Sequence, residues 1–368
     1  MKSYCKGLVI TEEIVRDAFY HWREGEAGRK NGWRVKQEHG TDENLIAEIY
    51  EEIRERRLAC APIRYRTHVE TSNGKERIIA IESVKQQVLD YVFHDCIEPM
   101  LDAKLGYYQT ASIAGKGQVW AKRHIVRWMH EGGYWVKTDF RKCYPSAAHS
   151  DCMRLGSTYI KSCDVVYLMK FLLSTYRDTR SEYKFAEDRG KRGLNIGSRF
   201  SLDMMNLILS FAYHHIESLH KERRGKKVAL VAHQLWFMDD CLLMGQDKRS
   251  LKAAVRSMGR YMREEFGMEL KPWKVCRVDS EPITMCGFTF RPDRTTVASG
   301  TFLRAKRCYS RMLCRPCLDL ARRACSYYGW LKHSDSFGFM ERNGVWKALR
   351  MARRIVSEND RRMAWNAM

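Results

Sequence analysis

The chain has 368 residues, with 65 Lys and Arg against 44 Asp and Glu, a formal net charge of +21. Its 45% hydrophobic content is enough for a sizeable core, and no apolar run reaches the roughly 18 residues of a membrane span. The basic residues run along the whole chain rather than forming one amphipathic tail, which disfavours a membrane-surface protein and points to a polyanion, above all nucleic acid.

Aromatic residues interleave with the basic ones, 10 Trp and 18 Tyr, a composition suited to stacking on bases. The start, "MKSYCKGLVITEEIV", has no apolar signal region, so a cytoplasmic location is expected. The 13 scattered cysteines read as free thiols.

Residues 41–58, "TDENLIAEIYEEIRERRL", read as a helix with Leu45, Ile46, Ile49, Tyr50 and Ile53 at helical spacing and Thr41 or Asp42 as cap. "RYRTHVETSNGKERIIAI" alternates around a turn signal and reads as a β-hairpin. "ESVKQQVLDYVFHDCIEPML" is a helix, and "YWVKTDF" a short strand ending at Asp139. "SLDMMNLILSFAYHHIESLH" is a long helix after a Gly-containing loop. "VALVAHQLWFMDDCLLMG" reads as two strands with Asp239 and Asp240 at the turn between them. "EPITMCGFTFRP" is a further hairpin, and the chain from about residue 301 is helical and very basic. Separate strands and helices without βαβ regularity predict an α+β fold.

The acidic residues at these strand ends carry the chemistry. Burying adjacent ionised carboxylates is costly unless a cation sits on them. Asp139, Asp239 and Asp240 are hard oxygen donors that favour Mg²⁺, with Mn²⁺ as the alternative. Two such ions about 3.5–4 Å apart activate an attacking 3′-hydroxyl and stabilise a leaving pyrophosphate. The competing reading of an isolated Asp-Asp pair is a solvated turn. It is less attractive here because apolar residues flank the pair on both sides.

Taken in order, these segments resemble the core of a reverse transcriptase over roughly residues 60–335. "KTDFRKCYPS" resembles the first catalytic motif, "GLNIGSRFSLDMMN" the second, and "FMDD" the metal-binding turn. "LKPWKV", "MCGFTF" and "GKERIIAI" resemble the following motif, the primer-grip hairpin and the fingers hairpin. The resemblance implies a right-hand polymerase fold of fingers, palm and helical thumb. The boundaries expected are an N-terminal helical region 1–58, fingers 59–135, palm 136–150, an insertion 151–192, palm 193–292 and thumb 293–368.

It also implies residue roles. Asp139 and Asp239 would bind both metals with support from Asp240, and the Phe140 carbonyl would add a ligand. Tyr144 would lie under the incoming sugar and exclude a 2′-hydroxyl. Lys75 and Arg77 would hold the triphosphate. Gly193, Ile196, Gly197 and Ser201 would form the loop that receives the template base pair, and Lys274 would be a general acid near the pyrophosphate. For Tyr144, the two hairpin cations and Lys274, the bland alternatives are a core aromatic and solvated surface charges. The implied partners are an RNA template, a primer duplex and deoxynucleotides, with an accessory protein or an associated non-coding RNA as further candidates.

"IGSRFSL" is similar to the second motif of diversity-generating retroelement enzymes, but Leu202 stands where they carry Gln, Asn195 where relatives often have Pro, and Ile113 where they often have Arg. These departures leave an antiphage-defence reverse transcriptase as the alternative. The rivals from other classes are an RNA-dependent RNA polymerase and a non-catalytic RNA-binding scaffold. "CRPC", Cys314 to Cys317, has metal-ligand spacing but no second pair, and is read as two positions sharing a helix face. His214 and His215 are read as a surface or packed pair.

Overall fold

The computed structural model describes residues 3–69, 74, 76–182 and 189–365, with side chains as far as residue 361. Helices and strands are mixed along the chain, in keeping with the α+β expectation. Two compact units are each assembled from three stretches. The first comprises residues 1–109, 138–231 and 252–272, and the second 110–137, 232–251 and 273–368.

The first unit is built around the helix Val84–Lys104, whose buried residues lie on more than one face, so that it is enclosed by other helices. The helices Glu12–Glu24, Cys163–Thr175 and Arg199–Ser218 pack against it. Enclosure carries Lys85 inside, where its ammonium is 2.8 Å from Glu48 and 2.7 Å from Glu52. Both carboxylates come from the helix Asp42–Arg54, capped by Thr41, whose hydroxyl accepts from Asn44 N at 3.1 Å. Leu45, Ile46, Ile49 and Ile53 are buried on its inner face. This helix ends four residues before the sequence-based boundary at 58. Arg56 adopts a left-handed φ of 55°, which a continuing helix does not allow.

The expected β-hairpin, which the resemblance assigns to the fingers, is present as Arg64–Val69 and Glu76–Ile81, antiparallel, with Arg64 opposite Ile81. A second difference lies after the long helix. His220 leaves it for a separate basic hairpin, His220–Arg223 with Lys226–Ala229. Its two-residue turn, Arg224 and Gly225, has φ of 51° and 72°, both positive as such hairpins prefer. His214 hydrogen-bonds Glu217 and the Lys104 carbonyl, and His215 stacks on Tyr261 at 4.3 Å.

Close packing in this unit gives a direct stability test. A Cβ on Gly106 would stand 2.2 Å from the buried Tyr213 ring. Gly106→Ala must therefore displace the ring, with an expected loss of about 1–3 kcal/mol, read as a lowered urea midpoint at unchanged m-value.

The second unit contains a four-stranded sheet in the order His233–Phe237, Asp240–Gly245, Tyr134–Thr138, Val275–Arg277. A three-stranded sheet has the order Thr295–Val297, Phe288–Phe290, Ile283–Met285. The helix Gln118–Met129 packs against strands of both sheets. The helices Ser299–Cys314, Leu318–Leu331 and Val345–Trp365 enclose a core of Tyr309, Met312, Ala324, Leu331 and Ala348. Cys314 and Cys317 do not share a helix face, contrary to the sequence reading. Cys314 ends one helix, Cys317 precedes the next, and both are exposed. No described helix is long and apolar enough to cross a membrane.

Candidate active site

Asp139 lies in the first unit, one residue beyond the strand Tyr134–Thr138. Residues 269–271 clamp its backbone. Lys271 N donates to the Asp139 carbonyl at 2.9 Å, Arg141 N donates to the Glu269 carbonyl at 2.7 Å, and Phe140 bridges to Leu270. Phe140 itself is buried. The Asp139 side chain is therefore held by its backbone, and its two oxygens are in different states. Oδ2 is 2.5 Å from the Lys271 ammonium, whereas Oδ1 is buried with no hydrogen-bond partner. A buried carboxylate oxygen without a donor is destabilising unless something positive reaches it.

Lys142, with a left-handed φ of 44°, turns the chain into the short helix Cys143–Ser146. This places Tyr144, half-buried, beside the Gly-rich loop. Leu194 N donates to the Tyr144 carbonyl at 3.0 Å and Gly193 N to the Ala147 carbonyl at 2.9 Å. Burial pulls His149 below the ordinary histidine range, so it is neutral, and its Nε2–H donates to the Gly193 carbonyl at 2.8 Å. Gly193 and Gly197 have φ of 111° and 107°, conformations closed to residues with a Cβ, and a Cβ at 193 would also meet Thr179 at 2.7 Å.

The loop then meets the fingers hairpin. Ile196 bridges to Ile79, and Ala80 N donates to the Ile196 carbonyl at 3.2 Å. Arg77 lies on the same strand, half-exposed and opposite His68. Lys75 lies outside the described residues. Ser201, expected at the substrate, is fully buried. Its backbone N–H is capped by Ser198 Oγ at 3.2 Å, and its hydroxyl donates to Tyr176 at 3.2 Å.

Asp239 and Asp240 lie in the second unit. Phe237 pairs with Asp240, so Met238 and Asp239 form a two-residue turn and Asp240 begins the next strand. Met238 has a φ of 56°, a conformation costing a branchless L-residue roughly 1 kcal/mol, and strain of this kind concentrates at functional turns. Asp240 Oδ2 is 3.0 Å from the Lys137 ammonium. Burial and the charge of Asp240 push the Cys286 thiol up to about 12. Lys274 also lies in this unit. Its ammonium is 2.5 Å from Glu281 on the exposed surface, which holds it above the ordinary lysine range and makes it a weaker acid. Lys271, three residues earlier, is the lysine that reaches Asp139.

The carboxylates of each unit, on turns and strand ends, are of the kind that suits a hard divalent cation, and in the first unit Asp139 has an orphaned buried oxygen. Among the described residues no group of three or more His, Cys, Asp or Glu side chains is gathered as a metal cage. Lys137 and Lys271, which sequence reasoning did not single out, supply the positive charge at Asp240 and Asp139. Their only signal in the sequence was position, in "KTD" and in "LKPWKV".

Strand-end carboxylates, a loop of left-handed glycines feeding a buried helix, and a basic helical region are features that a nucleotidyl transferase working on nucleic acid would use. The family model for reverse transcriptase (RNA-dependent DNA polymerase) matches residues 68–290, well over half of the chain, and the protein belongs to that family. It is an RNA-directed DNA polymerase. A comparison with curated proteins finds no match.

Proposed function

We propose that the chain adopts the right-hand arrangement, with the segments given above as fingers, palm and thumb, and extends a primer along an RNA template by two-metal catalysis. Asp139 and Asp239 would each hold both ions and Asp240 would support them, with the Phe140 carbonyl as a further ligand. When bound, two Mg²⁺ ions activate the primer 3′-hydroxyl and neutralise charge on the departing pyrophosphate.

The observation that carries this reading is the orphaned Asp139 Oδ1 at the end of a strand. Two residues back along that strand, Lys137 touches Asp240. Arg77 would bind the triphosphate as a bidentate cation, together with Lys75. Tyr144, tied through its carbonyl to Leu194, would exclude a 2′-hydroxyl, and the loop through Gly193, Ile196 and Gly197 would receive the base pair. Ser201 serves that loop from inside, as part of its anchor. Lys274 would release its proton to pyrophosphate only after leaving Glu281.

The reading of subtype is a retroelement enzyme of the diversity-generating kind, supported by "IGSRFS". Leu202 and Asn195 favour a second reading, an antiphage-defence enzyme copying an associated non-coding RNA. Asn195 accepts from Tyr65 of the fingers hairpin at 3.2 Å, so the residue at this divergent position contributes to the loop's anchorage.

The test is primer extension on a defined RNA template, with deoxy- and ribonucleotides supplied separately, followed by sequencing of the nucleic acid that copurifies with the protein. Deoxynucleotide incorporation is expected to exceed ribonucleotide incorporation by at least about a hundredfold. A preference for ribonucleotides would instead mark an RNA polymerase, and no incorporation on any template would mark a binding scaffold. A copurifying template that recurs with scattered substitutions in its product supports the diversity-generating subtype. Faithful cDNA of one non-coding RNA supports the defence reading.

A further inference from the structure

One buried polar cluster in the first unit takes no part in the chemistry above. Glu82 follows the fingers strand Glu76–Ile81, and Asp90 lies on the enclosed helix Val84–Lys104. They are 5% and 1% exposed. Asp90 Oδ2 accepts from Ser198 Oγ at 2.6 Å and from Phe200 N at 3.2 Å, the capping residue and first turn of the helix Arg199–Ser218. Tyr176 OH is 2.6 Å from Ser198 Oγ. Glu82 lies beside the side chains of Asn195 and Ser198. Together these contacts connect the fingers strand, the enclosed helix and the Gly-rich loop.

Three buried atoms of the cluster, Glu82 Oε1, Asp90 Oδ1 and Asn195 Nδ2, have no hydrogen-bond partner. The nearby charges are committed elsewhere. Lys85 is held by Glu48 and Glu52, and Arg199 by His94 and Asp203. His94 lies 2.6 Å from Arg199 through Nε2 and 2.9 Å from Asp203 through Nδ1, within the same side-chain group. Tyr176 and Cys60, which also face the pair, are pushed up by burial and stay protonated. Burial and then the charge of Asp90 push Glu82 well above the carboxylate range, and burial pushes Asp90 up to about 7. Two anions here have no counter-charge, and one proton held by the pair removes their repulsion.

We propose that Glu82 and Asp90 share one proton and act as a joint positioning device. The pair holds residues 195–198 against the fingers strand and so sets the shape of the loop that receives the incoming base pair. The inference rests on the reading of that loop as the base-pair contact. The remaining negative charge faces the amino end of the helix Arg199–Ser218, where it is favoured. The sign of the pH effect follows. The pair holds its shared proton more tightly in the folded protein than either carboxyl does unfolded. The contribution is thus complete below the unfolded carboxylate pKa of about 4 and is lost as pH rises through the raised folded range of the pair.

The experiment compares wild type, Asp90→Asn, Asp90→Ala and Glu82→Gln, each assayed for single-deoxynucleotide incorporation on an RNA template and melted from about pH 6 to about pH 8.5. Asp90→Ala removes the acceptor for Ser198 and Phe200. It is expected to raise the nucleotide KM about tenfold with kcat within about threefold. Asp90→Asn keeps an acceptor and adds a donor toward Glu82, and is expected to restore KM to within about twofold of wild type. Glu82→Gln replaces the shared proton by an amide N–H and should flatten the fall of Tm with pH. If Asp90→Ala does not fold, Asp90→Asn and Glu82→Gln still decide.

An unchanged pH slope in Glu82→Gln, or Asp90→Asn as damaging as Asp90→Ala, would overturn the shared proton. A flattened slope with unmoved KM in Asp90→Ala would overturn the positioning role and, with it, the reading of the loop. The metal-site reading is tested separately, by the aspartate variants below.

Discussion

Primer extension should fall by at least about a thousandfold when Asp239 and Asp240 are both replaced by Asn, and by a similar factor for Asp139→Asn alone. An amide has the shape of a carboxylate without its charge, so the loss reads the charge itself. Asp139 Oδ1 is the informative atom because it is buried and unsatisfied in the polypeptide alone. Asp240 and Asp139 each contact a lysine ammonium. These pairs are partly exposed and worth little to stability, so Tm should move by no more than a few degrees. RNA binding, governed by phosphate contacts along the basic surface, should be retained and should weaken with salt as in wild type. Rapid-quench measurement of a single incorporated nucleotide, with filter binding of the same template in parallel, separates the two effects. Incorporation that survives in both variants would remove the catalytic assignment. Lost RNA binding would mean that the variants disturbed the fold instead.

The second large effect is expected at Tyr144. Truncation to Ala should raise the efficiency of ribonucleotide incorporation relative to deoxynucleotide by on the order of a hundredfold, about 2.7 kcal/mol of lost discrimination. The argument is one of a fixed wall. The short helix Cys143–Ser146 follows a left-handed Lys142, and the Tyr144 carbonyl is tied to Leu194 N at 3.0 Å. A ring on so constrained a backbone cannot retreat from a 2′-hydroxyl. Tyr144→Phe keeps the ring and should keep the selectivity. Competition assays with matched ribo- and deoxynucleotides read the ratio directly. An unchanged ratio in Tyr144→Ala would place the selection elsewhere.

Two of the site residues read from the sequence have neighbours that the sequence does not show. "LKPWKV" contains two lysines three positions apart, and the reading chose Lys274. Backbone pairing of residues 269–271 with 139–141 brings Lys271 to Asp139, while Lys274 meets Glu281. No local pattern distinguishes them, because the choice depends on which strand edge lies opposite. Ser201 has the polarity of a substrate ligand, but its place in the first turn of an enclosed helix turns it inward to Tyr176.

What the sequence determined alone was local and periodic. Apolar spacing located the inner face of the helix Asp42–Arg54, with Thr41 before it. Alternation and a turn signal located the fingers hairpin, and two carboxylates inside an apolar run located the turn at Met238 and Asp239. Such features are encoded within a few neighbours, where steric and hydrogen-bonding preferences act directly. Only the tertiary structure decided the lysine at each aspartate, the burial of Ser201, and the meeting of Glu82, Asp90 and Ser198. Asp90 and Ser198 stand 108 positions apart in the chain. Their pairing exists because Asp90 is buried away from water, where a polar side chain finds its hydrogen-bond partner in distant chain.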